Sequence, residues 1–168
     1  ASSVTLLRVL MGPGVPFRVM GSDDEAPAAL ARGEAVLLIA DAALRAHRDG
    51  VAPYSIDLGE MWQQRTHLPM VFAVWAVRAE AARTRAPEIA ALGHAIATAR
   101  DAFIADPPAV ARAAAARFPF DEEFITGYLS RLRYGFGEPE RAGLERFLDL
   151  ARAAGELEDV PMLEAAAA

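Results

Sequence analysis

The amino-acid sequence predicts an α/β protein: a lobe in which helices alternate with strands, followed by a tail of helices alone. Three observations predict it. Segments of helical period alternate with short apolar runs over the first third of the chain. The run Ala35–Ala40 is apolar without a break, as in a strand covered on both faces of a largely parallel sheet. After residue 85 the apolar residues follow only the helical repeat.

Taken in order, Ser2 and Ser3 are good N-cap residues, and Val4, Leu7 and Met11 recur at helical spacing until Gly12-Pro13-Gly14. A helix from Ser3 to Met11 is predicted. Pro16 to Met20 reads as a strand closed by Gly21, and Ser22 with Glu25 three residues on matches a capping box for a second helix ended by Gly33. Ala35 to Ala40 is the next strand, with Asp41 just past it. The order helix, strand, helix, strand favours right-handed crossover units. Asp49-Gly50-Val51-Ala52-Pro53 is a turn, Gly59 to Arg65 a short helix, and Leu68 to Arg78 a third apolar strand.

In the tail, Ile89, Leu92, Ile96 and Phe103 share one helix face until Asp106-Pro107-Pro108 intervenes, and Pro108 suits the first position of an alanine-rich helix. Asp121 caps a helix with the stripe Phe124, Ile125, Tyr128, Leu129 and Leu132, which Gly135-Phe136-Gly137 breaks. A last helix from Pro139 to Ala154 buries Leu144, Phe147 and Leu148 ahead of Gly155. Ala165 to Ala168 reads as a frayed end.

Composition excludes several functions. The net charge is −6 and the 17 basic residues are all arginines, scattered without a stripe, which argues against nucleic acid as a partner. With no cysteine, the chain has neither a disulfide, a thiolate metal site nor a cysteine nucleophile. Leu68 to Val77, the longest apolar run, is about half of the ~20 residues that a membrane helix needs, so no membrane association is expected. The opening Ala1-Ser2-Ser3 shows no initiator Met and no charged leader, which suggests a fragment or processed form without a signal peptide, and a cytoplasmic location.

Few residues stand out chemically. Ser2 and Ser3 lie where a helix start offers free N–H groups to a carboxylate, or they simply cap that helix. Asp41 falls at the strand edge where open α/β sheets bind ligands, or it caps the helix that follows. Trp62 is suited to covering an unsaturated ring or to packing on the neighbouring strand, and Glu60 reads as a solvated residue of a first turn. His47, His67 and His94 have no partners at metal-binding spacing. No phosphate loop or nucleophile elbow is present, and no metal or cofactor is expected.

Asp57-Leu58-Gly59-Glu60-Met61-Trp62, followed by Thr66-His67-Leu68-Pro69-Met70-Val71-Phe72-Ala73-Val74-Trp75, resembles the chorismate dehydratase family of menaquinone biosynthesis (the futalosine pathway). Ser2 to Leu10 and Leu37 to Leu44 agree in the same order, so the resemblance covers the first 80 residues; the tail shares only the family's layout. It implies a two-lobed, periplasmic-binding-protein-like fold, with residues 1–65 as second lobe and hinge segment and residues 66–168 as a return strand to the first lobe plus C-terminal helices. It implies conversion of chorismate to 3-[(1-carboxyvinyl)oxy]benzoate, with Ser2, Ser3, Ala40, Asp41 and Trp62 contacting this dicarboxylate, Asp41 as the catalytic candidate, and further site residues in an N-terminal part absent from this sequence. A sister enzyme acting on cyclic dehypoxanthinyl futalosine carries a histidine proton acceptor where Ala40 stands here, which favours the dehydratase. A binding protein or sensor without chemistry is the alternative from a different class, and the apolar faces of the tail suit a homodimer.

Overall fold

Every regular element found among the described residues is helical. The structure, a computed structural model, describes residues 2–12 and 14–164. Its α-helices are α1 (Ser2–Met11), α2 (Ala26–Ala31), α3 (Ala40–Asp49), α4 (Leu58–Thr66), α5 (Ala79–Thr84), α6 (Ala86–Ala105), α7 (Pro107–Ala115), α8 (Glu122–Leu129) and α9 (Glu138–Ala153). A 3-10 turn, Asp23–Glu25, leads into α2. Ala165 to Ala168 lie outside the described residues.

The expected α/β class is therefore overturned, and with it the periplasmic-binding-protein-like architecture. None of the three apolar runs read as strands, Pro16–Met20, Ala35–Ala40 and Leu68–Arg78, is paired with another segment among the described residues. A strand exists only by virtue of a neighbour that takes up its N–H and C=O groups. An apolar run announces burial but does not supply that neighbour. These runs stay irregular, and much of their apolar surface is open: Val19 is 93% exposed and Trp75 83% exposed. Ala40, read as the end of a strand, is the first residue of α3.

The chain divides into two compact units. The first comprises Ala1–Ala73 and Gly137–Pro161, and its core is Leu6 and Leu10 of α1, Trp62 of α4 and Phe147 of α9, with Val9, Leu58, Met61, Met70 and Leu150 packed around them. Trp62 is fully buried, meets Phe147 edge to face at 6.0 Å, and donates its indole N–H to the Pro69 carbonyl at 3.3 Å. The chain reverses after α4 because His67 takes the left-handed conformation (φ 58°) as C-cap, its N–H returning to the Gln63 carbonyl at 2.8 Å. Thr66 braces the reversal by donating to the Trp62 carbonyl at 2.9 Å and accepting the Leu68 N–H at 3.2 Å. Asp57 caps the other end of α4 through the N–H groups of Gly59 and Glu60.

Helix α1 is tied to α4 and to the residues after α9. Arg65 donates to the carbonyl of Leu10, one of the carbonyls that the end of α1 leaves open. Arg8 pairs with Glu156 at 2.6 Å and lies over the Phe17 ring, while Thr5 donates to the same carboxylate at 3.4 Å. Helix α9 reaches this core through a ridge of small residues: Gly143 and Ala151 are buried with Phe147, whereas Leu144 and Leu148 are only half-buried. The segments on either side of α2 are held by their own charges. Ser22, expected to open the helix with a capping box, caps the 3-10 turn instead; Glu25 accepts the N–H of Gly21 rather than that of Ser22, and Glu34 is gripped by Arg32 at 2.6 Å and Arg18 at 3.0 Å.

The second unit comprises Val74–Phe136 and Met162–Ala168, and its main packing is of α7 on α8 around Ala111, Phe120 and Ile125. Asp106 and Asp121 cap α7 and α8 through the N–H groups of Ala109 and Phe124. Pro107, one residue earlier than predicted, takes the first position of α7. The stripe expected on α6 is not a core face: no residue of α6 is fully buried, and Leu92 is 54% exposed. No helix of the described residues is long and apolar enough to cross a membrane.

Two outcomes are expected. A Cβ added at Gly143 falls on the Pro69 carbonyl, so Gly143→Ala should lower stability by about 1–3 kcal/mol, read from the midpoint of urea unfolding. The Arg32 hydrogen bond, followed by that of Arg18, holds the Glu34 carboxyl below the usual glutamate range. Its folded value is depressed, so its contribution is present above the unfolded value and lost as pH falls through the folded one. An NMR titration of the Glu34 carboxyl should find a lowered midpoint that returns to the ordinary range when Arg32 and Arg18 are both replaced by alanine.

Candidate functional site

The start of α3 is the most unusual piece of backbone near a candidate residue. Ile39 is extended (φ −135°, ψ 162°) and has no side-chain acceptor for the open N–H groups of the first turn. Ala40 follows at φ 52°, in the left-handed region, which costs a residue bearing a Cβ about 1 kcal/mol. Asp41 stands next, in the first turn, where the helix dipole favours a carboxylate. Its side chain is half exposed, and Oδ2 lies 3.9 Å from Arg45 one turn on. Ile39 occupies the capping position, so Asp41 is not the cap of this helix. What this end presents is an anion, a cation and unfilled N–H donors within one turn.

Ser2 and Ser3 are the first two residues of α1 itself, inside the helix rather than in front of it. Ser2 is exposed and Ser3 half-buried; Ala1, at the preceding position, lies outside the described residues. Among the described residues no hydrogen bond or ion pair joins either serine to Asp41, and the packing partners of α1 are α4 and α9. Trp62 lies on α4, but its ring is enclosed between α1, α9 and Pro69, with no face open to a ligand. The structure thus places Ala40 and Asp41 side by side, the two serines together at another helix start, and the tryptophan in the core.

The histidines are all exposed. Glu60, Gln63, Gln64 and His67 line a shallow concavity beside α4. No cluster of three metal-ligating side chains occurs among the described residues. Arg45 was missed by the sequence reading although its spacing from Asp41 is a readable signal. The left-handed backbone of Ala40 had none, because alanine is not a residue that marks such a position.

Known proteins resemble this chain along nearly its whole length. A family model described as menaquinone biosynthesis matches residues 1–153. The chain is 34% identical over 169 residues to a protein of Thermus thermophilus named chorismate dehydratase, an alignment taking in 89% of this chain and 59% of that one. It therefore spans less than two thirds of that relative's length. No solved structure matches it.

The strain at Ala40 has a measurable consequence. Ala40→Gly should raise stability by up to about 1 kcal/mol in urea unfolding, because glycine adopts positive φ without penalty. A loss of stability instead would show that the left-handed start of α3 is not populated in solution.

Proposed function

This chain belongs to the menaquinone biosynthesis family, and on that premise we propose that it serves a lyase that dehydrates chorismate to 3-[(1-carboxyvinyl)oxy]benzoate. The observation that carries this reading is the 34% identity, over 89% of the chain, to the protein named chorismate dehydratase. Because that relative is longer, the activity is proposed for a protein of the family's full length.

The reaction removes one ring proton and the ring hydroxyl as water and leaves an aromatic ring, whose stability drives it forward. Such a step asks for orientation and fixed dipoles more than for a strong catalyst. In this proposal the first turn of α1, with Ser2 and Ser3, binds a substrate carboxylate through N–H and hydroxyl donors. Asp41 acts on the hydroxyl side of the ring, as hydrogen-bond acceptor or weak base, and Arg45, 3.9 Å away, orients it. The N–H groups open at the start of α3 make Ala40 a backbone contact. Trp62 contributes by holding α1 in place.

In the family-length protein, Asp41→Asn should lower kcat about a hundredfold and Ser3→Ala should raise KM severalfold, with chorismate and product followed by chromatography. Parental rates and affinities in both variants would remove these residues from the site. Turnover of cyclic dehypoxanthinyl futalosine in place of chorismate would overturn the assignment of substrate.

A further inference from the structure

We propose that a hollow in the second unit, where the ends of α6 and α8 meet, binds a small apolar α-amino acid as its zwitterion. The hollow has a volume of about 370 Å³, toward the lower end of ligand sites. That volume suits a molecule of about a dozen non-hydrogen atoms. Its walls are apolar, with Ile104, Leu129 and Leu132 beside an edge-to-face pair of Phe103 and Tyr134 at 5.1 Å. Partial burial, with Tyr128 nearby as the lesser cause, raises the Tyr134 phenol.

Two polar features at this hollow are chemically opposite. Phe103 and Ile104 are in the last turn of α6, and the residues four further on, which would donate to their carbonyls in a continuing helix, are Pro107 and Pro108. Neither proline has an N–H. The nearest other donors are engaged: the Asp106 N–H goes to the Ala102 carbonyl and the Ala109 N–H to the Asp106 carboxylate. Two acceptors at the partially negative end of a helix are thereby left for an outside donor, which suits an ammonium group. Arg133, the one charged side chain lining the hollow, has no hydrogen bond or ion pair among the described residues. Its guanidinium suits a carboxylate. Ser130 also lines the hollow, but its hydroxyl donates to the Gly127 carbonyl at 2.8 Å.

Each feature alone would take a simpler ligand, the guanidinium a carboxylate and the open carbonyls an amine. Together, beside an apolar hollow, they match a molecule carrying ammonium, carboxylate and an apolar side chain on one carbon. A plain monoanion would meet the negative ends of two helices without an ammonium to answer them.

Calorimetric titration of the 168-residue chain with L-phenylalanine tests this. Binding at millimolar concentration or tighter is expected, with phenylpropanoate, which lacks the ammonium, and phenethylamine, which lacks the carboxylate, each about tenfold weaker or more. Arg133→Gln should reduce L-phenylalanine to the affinity of phenethylamine and leave phenethylamine itself unchanged. Ile104→Trp, at a position 60% exposed and hence tolerant of a larger side chain, should fill the hollow and abolish binding with the helical circular-dichroism signal intact. No binding of L-phenylalanine, equal binding of either analogue, or indifference to Arg133→Gln would overturn the proposal.

Discussion

The first unit depends on one indole. Trp62 fills the space between α1 and α9, and its N–H donates to the Pro69 carbonyl just past the turn that ends α4. That bond matters because it satisfies the one polar group of an otherwise apolar side chain while fixing where the chain goes next. His67 and Thr66 make the reversal, Gly143 lets α9 approach the same carbonyl, and Arg65 ties the end of α1 to the same helix. Residues of α1, α4, α9 and the turn after α4 thus meet around one ring.

This arrangement gives physical meaning to the stretch in which the family resemblance is most specific. Asp57, Gly59, Trp62, Thr66, His67 and Pro69 are respectively a cap, a close-packed helix position, a core ring, a brace, a left-handed C-cap and an acceptor. All serve the framework. The residues proposed for chemistry, Ser2, Ser3 and Asp41, belong instead to first turns of helices, where backbone donors rather than unusual side chains supply the polarity. A reader of the sequence sees the framework more clearly than the site for that reason.

The helices were legible wherever punctuation is local. Asp121 caps as its position suggests, and Gly33, Gly50 and Gly155 sit at positive φ at the ends of helical segments. The apolar runs misled because strand pairing is a property of two segments and a run describes only one. The buried face of α9 was half legible: Phe147 was expected in the core, but Gly143 and Ala151 were not, since a search for large apolar residues passes over a ridge whose value lies in being small. Of the candidate residues, Ala40 and Asp41 were named from the sequence, but the left-handed backbone of Ala40 leaves no mark on its side chain and could not be read there.

The contact of Thr5 with Glu156 joins residues 151 positions apart, and Arg8 reaches the same carboxylate. The first unit is therefore discontinuous, while nearly all of the second lies in one uninterrupted stretch between its two pieces. As the chain leaves the ribosome, the inner stretch is complete before the outer unit has its last helix. Collapse of the inner stretch shortens the loop that α1 and α9 must close, and with it the entropy opposing their meeting. Assembly from the middle outward is the order that this connectivity favours.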